Sequence, residues 1–80
     1  MIKKYLLNNW NVEKIVRQNK AEYIDILEGC LLDNIYLYTK RGYILLLETY
    51  ANCWSSKYTL IFSTDINETD KIWNERRKGA

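Results

Sequence analysis

Eighty residues, 48% of them apolar, with 12 basic and 10 acidic side chains and a net charge of +2, describe one domain with a small core. The near balance of charge speaks against a strongly basic nucleic-acid footprint and against an acidic DNA mimic. So much apolar surface speaks against a disordered tail.

Residues 1–10 carry Ile2, Tyr5, Leu6, Leu7 and Trp10 without the long apolar run of a signal peptide. Nothing in the chain approaches the ~20 apolar residues of a membrane span. The expected location is therefore the cytoplasm.

Residues 11–28 read as a helix. Val12, Ile15, Val16, Tyr23, Ile26 and Leu27, continued by Cys30, share one stripe of a helical wheel, interrupted by Asn19. Asn9 or Asn11 can cap its start, and Gly29 suits the position past its end. A competing reading ends the helix near Asn19 and makes Tyr23–Leu27 a strand.

Residues 33–39 and 43–50 read as a β-hairpin joined by Lys40-Arg41-Gly42, with Gly42 in the left-handed position of a three-residue turn. With Thr39 opposite Tyr43, one sheet face carries Ile35, Leu37, Leu45 and Leu47. The other carries Tyr36, Tyr38, Ile44, Leu46 and Glu48. A one-residue slip exchanges these sets, so the assignment depends on the turn. Residues 57–63 alternate as a third strand, after a polar loop Asn52-Cys53-Trp54-Ser55-Ser56.

A final helix starts near Asp65. Asp65 with Glu68 fits a capping box, and Arg76, Arg77 and Lys78 sit where the helix dipole favours cations. Ile66, Thr69, Ile72 and Trp73 form its inner face, and Gly79 can end it. The expected fold is α+β: helix, three-stranded antiparallel meander, helix, with both helices on one sheet face.

Histidine is absent, which removes the usual general base and the commonest metal ligand. Cys30 and Cys53 are isolated, so neither a zinc site nor a disulfide framework is indicated. Whether the two can pair is open. Ser55 and Ser56 lack a base to activate them, and no spacing singles out a carboxylate pair among Glu22, Asp33 and Glu48. The expectation is a protein without catalytic residues, metal or cofactor that works by binding another macromolecule.

Four places can bind. The open sheet face shows Tyr36 and Tyr38, unless residues 1–10 fold back over it. The turn offers Lys40 and Arg41, with Lys57 as a third cation. Trp54 can anchor an interface from its loop or cap the core. Arg76, Arg77 and Lys78 can touch phosphates or serve the helix end. The leading expectation is a protein partner bound through Tyr36, Tyr38, Lys40, Arg41 and Trp54. The alternative is nucleic acid bound through Lys40, Arg41, Arg76, Arg77 and Lys78. A homodimer through the open face or an edge strand is a third reading.

The element order is similar to that of double-stranded-RNA-binding domains, which place a lysine cluster at the start of the last helix. Here Asp65, Glu68 and Asp70 stand in that turn, so the likeness is topological. The bias toward Lys, Asn, Ile and Tyr is that of an AT-rich genome. With the stretches Thr39-Lys40-Arg41-Gly42-Tyr43 and Asn52-Cys53-Trp54-Ser55-Ser56, the chain resembles small accessory proteins of Firmicute phages and mobile elements. Its sheet with flanking helices also resembles some anti-CRISPR proteins. That resemblance implies inhibition of a host nuclease by stoichiometric binding.

Overall fold

The computed structural model describes residues 3–7, 12–52 and 55–79. In chain order these form β1 (Lys3–Leu7), α1 (Val12–Asn19), β2 (Glu22–Leu27), β3 (Asn34–Thr39), β4 (Gly42–Asn52), β5 (Ser55–Ser63) and α2 (Ile66–Lys78). The strands make one antiparallel sheet in the order β1-β5-β4-β3-β2, so the class is α+β. The expected meander is present as β3-β4-β5. The sheet nevertheless has five strands rather than three, because one more is added at each edge.

The edge strand β2 corrects the long helix over 11–28. Helix α1 stops at Asn19, and Lys20 turns into the left-handed region at φ 49°. Lys20 N–H donates to the Arg17 carbonyl and Ala21 N–H to the Val16 carbonyl, the paired bonds of a Schellman ending. Asn19 Nδ2 donates to the Ile15 carbonyl at 2.8 Å. Tyr23 and Ile26, aromatic and β-branched, then pair with β3 instead of extending the helix. The caps expected at Asn9 or Asn11 lie outside the described residues.

The second correction is the register of the hairpin. Thr39 pairs with Gly42, not Tyr43, so Leu37 faces Ile44 and Ile35 faces Leu46. Thr39 Oγ1 fixes this tight turn by accepting from the N–H groups of Arg41 and Gly42, both at 3.1 Å, and donating to the Gly42 carbonyl at 2.9 Å. Gly42 has φ 153°, and a Cβ there would meet the Ser63 carbonyl oxygen at 2.8 Å. Only glycine fits that backbone and that approach.

The slip by one residue gives each face its own apolar set. Ile35, Leu37, Ile44, Leu46 and Tyr58 pack under α1, against Val12, Ile15 and Val16. Tyr36, Leu45, Leu47 and Ile61 pack under α2, against Ile72 and Trp73. Two apolar faces need two covers. The helices therefore lie on opposite faces of the sheet, not on one. Residues 3–7 do not fold over a face either; they extend the sheet beside β5, with Lys3 opposite Phe62 and Leu7 opposite Tyr58.

Helix α2 keeps its expected start. Asp65 accepts from Asn67 N–H at 2.9 Å. The return half of the capping box runs through buried Ser63: Asp65 N–H donates to Ser63 Oγ, and Ser63 Oγ donates to Glu68 Oε2. Gly79 closes the far end, its N–H donating to the Glu75 carbonyl.

Candidate partner-binding surface

The structure separates the residues that the sequence grouped. Tyr36 is 2% exposed and lies beneath α2. Its hydroxyl shares a hydrogen bond of 2.7 Å with Thr69 Oγ1 and donates to Asp70 Oδ1 at 2.6 Å. Burial, and then the bond to Asp70, push its pKa up to about 12. It is a core residue, because the face expected to be open is covered. Tyr38 lies further out on the same face and stays 43% exposed, its ring 5.5 Å from that of Tyr43. Trp54 and Cys53 lie outside the described residues, and with them any pairing of Cys30.

Lys40 and Arg41 are exposed on the turn. Lys57 does not join them: it pairs with Thr49, seven positions along β4 from Gly42 and therefore roughly 23 Å away. Nor do Arg76, Arg77 and Lys78, which sit at the other end of α2. Ser63, just before α2, is packed against Gly42 beside the turn, and a 13-residue helix is about 20 Å long. The two C-terminal arginines also have partners. Arg76 donates to the Glu48 carbonyl at 3.3 Å. Arg77 pairs with Asp25 at 3.2 Å, and Trp73 Nε1 donates to the same Asp25 oxygen at 3.0 Å. The Trp73 bond, followed by the Ile26 N–H and Arg77, holds the Asp25 carboxyl below its ordinary range despite partial desolvation.

A cleft of about 640 Å³ opens between the β2–β3 loop and the end of α2, where Glu28, Glu48 and Glu75 surround Arg76. Glu48 is the best-defined group there. Its carboxylate accepts from the N–H groups of Cys30, Leu31 and Leu32 at 2.7–2.9 Å. Desolvation raises its pKa, but these donors outweigh it and the net shift is downward. A carboxylate so engaged anchors a loop and is a poor proton carrier. Gly29 makes the arrangement fit, since a Cβ there would stand 2.5 Å from Glu48 Oε1. Among the described residues no group of His, Cys, Asp and Glu stands together to hold a metal ion. No described helix is long and apolar enough to cross a membrane.

The exposed apolar side chains gather instead along the β2 margin. Of seven large exposed hydrophobic residues among those described, Tyr23, Ile24 and Ile26 lie on β2, Leu31 in the loop after it and Tyr38 on neighbouring β3. Tyr23 is 55% and Ile26 51% exposed. Among the described residues no strand pairs with the outer side of β2, but β2 is not a flat template for one. The ladder shifts between Tyr23 and Asp25, which leaves Ile24 as an extra residue, and Asp25 Oδ1 accepts the N–H of Ile26 at 2.9 Å. Bulges and self-bonded donors of this kind protect an edge from strand addition. The side chains remain available while the backbone is guarded.

Two signals in the sequence marked this margin: the dense apolar run Tyr23-Ile24-Asp25-Ile26-Leu27, and the open alternative that made it a strand. Comparison with protein-family models, with curated proteins and with solved structures finds no match for this chain.

Proposed function

We propose that this chain is a non-enzymatic protein-binding module whose contact surface is the β2 margin, with Tyr23 and Ile26 on its α1 side, Tyr38 on its α2 side and Leu31 at its end as apolar anchors. The observation that carries the reading is that, among the described residues, most exposed large apolar side chains gather along one guarded edge. Exposed apolar patches rimmed by polar groups mark interaction sites, and tyrosine is enriched at the centres of such interfaces. The rim here includes Glu22 and Glu28. The partner reads side chains rather than adding a strand, because of the bulge and the Asp25 bond. Stoichiometric inhibition of a phage host's defence protein, such as a CRISPR nuclease, is a role that such a surface can serve.

The test is affinity capture from a low-GC bacterial lysate with native protein and with a Tyr23→Ala/Ile26→Ser/Tyr38→Ala variant. The native chain should retain a protein that the folded variant loses. Equal capture by both would overturn the assignment of this surface.

A further inference from the structure

We propose that the cleft between the C-terminal end of α1 and the β3–β4 turn is a binding site for a phosphate group. This cleft holds about 200 Å³ and is lined by Gln18, Asn19, Lys20, Thr39, Lys40 and Arg41. Three of those six residues are cations and none is an acid. The volume exceeds the roughly 30 Å³ that one water occupies in the liquid several-fold, so a tetrahedral anion fits with part of its hydration shell.

Cations at a helix C-terminus ordinarily serve the exposed carbonyls of the last turn. Here two of those carbonyls are already engaged by backbone donors, Val16 by Ala21 N–H and Arg17 by Lys20 N–H. The Lys20 ammonium is not needed for either bond. The single ion pair among the described residues is Arg77 with Asp25, at the far end of α2. Lys20, Lys40 and Arg41 thus concentrate positive charge that the described carboxylates do not neutralise by direct pairing.

Hydrogen bonds hold the backbone of both walls. Lys20 is held in the left-handed region by the Schellman bonds, and the turn by the three bonds of Thr39 Oγ1. The ordering cost of binding then falls on the side chains alone. A guanidinium adds a planar fork that matches two phosphate oxygens, and the two ammonium groups add point charges.

A phosphate group can arrive as a free anion or as the phosphodiester of a nucleic acid strand, and titration separates these sources. Backbone amide NMR shifts of the whole chain are followed with inorganic phosphate in one arm and a short single-stranded oligonucleotide in the other. Saturable shifts centred on residues 18–20 and 39–42 are expected with at least one probe. Saturation by phosphate alone identifies a free anion as the ligand. Tighter binding of the oligonucleotide, weakening steeply with salt, identifies the phosphodiester. Arg41→Gln and Lys20→Gln, both at exposed positions, should each raise Kd about tenfold. Shifts that never saturate, that spread over the whole surface, or that survive both substitutions would overturn the proposal. The Tyr23→Ala/Ile26→Ser/Tyr38→Ala variant should keep phosphate binding, so this site and the β2 margin stand or fall separately.

Discussion

On the α2 face of the sheet, rings meet the helix and end in hydrogen bonds: Tyr36 to Thr69 and Asp70, Trp73 to Asp25. On the α1 face, an eight-residue helix lays Val12, Ile15 and Val16 on a mainly aliphatic cluster that includes Tyr58. Among the described residues no hydrogen bond joins an α1 side chain to the sheet. Both faces remove apolar area from water, but only one also dictates where its helix must lie. Apolar contact tolerates sliding and repacking, whereas directional bonds select one position. The α2 face should behave as the fixed part of the molecule and the α1 face as the adjustable part.

The largest expected effect tests that contrast directly. Trp73→Ala leaves a cavity under α2 and removes one of the hydrogen bonds to Asp25, and should cost about 3–5 kcal/mol of unfolding free energy. Ile15→Ala, on a half-buried residue, should cost about 1–2 kcal/mol. Equal losses in urea titrations would abolish the distinction between the faces.

Next in size is Glu48→Gln, which weakens the polar anchor of the β2–β3 loop and should cost about 1–3 kcal/mol at neutral pH. The sign of its pH dependence follows from the depressed pKa. The carboxylate's contribution is complete above the ordinary value of 4.5 and is lost as pH falls through the lower folded value. Acid should therefore narrow the gap between native protein and variant.

The smallest is Tyr36→Phe, about 1 kcal/mol at neutral pH. Here the pKa is raised, so the stabilisation is complete below the ordinary value of 10.0 and is lost as pH rises through about 12. Alkaline unfolding of the native protein should approach that of the variant over this range. A gap that stays constant would show that Tyr36 is not buried against α2.

The sequence made the central hairpin, the third strand and α2 with its Asp65 cap legible, because alternation, glycine and charge order all agreed there. It misled over residues 11–28. An edge strand exposed along most of its length shows no alternation, and its apolar residues happened to continue the stripe of α1. The helix stop was a left-handed Lys20, where glycine or asparagine would have been the readable signal. The hairpin register depended on hydrogen bonds made by one threonine hydroxyl, and that single residue decided which face each leucine took. Tyr36 and Tyr38 read alike from sequence. What separates them is Thr69 and Asp70, more than thirty positions away in the chain. The β2 margin, like β2 itself, is legible only in the competing reading that makes Tyr23–Leu27 a strand. The basic cleft stayed hidden because Lys20 was assigned to a helix interior.

The strand order has a consequence for how the chain assembles. From β2 to β5 each strand pairs with its successor, so that part of the sheet can grow by closing short loops as the polypeptide leaves the ribosome. β1 is synthesised before them all, yet its partner is β5, with Lys3 opposite Phe62. It closes the longest loop in the sheet, the slowest kind of contact to form. Until β5 is made, one outer edge of the growing sheet is β4, and β1 waits unpaired.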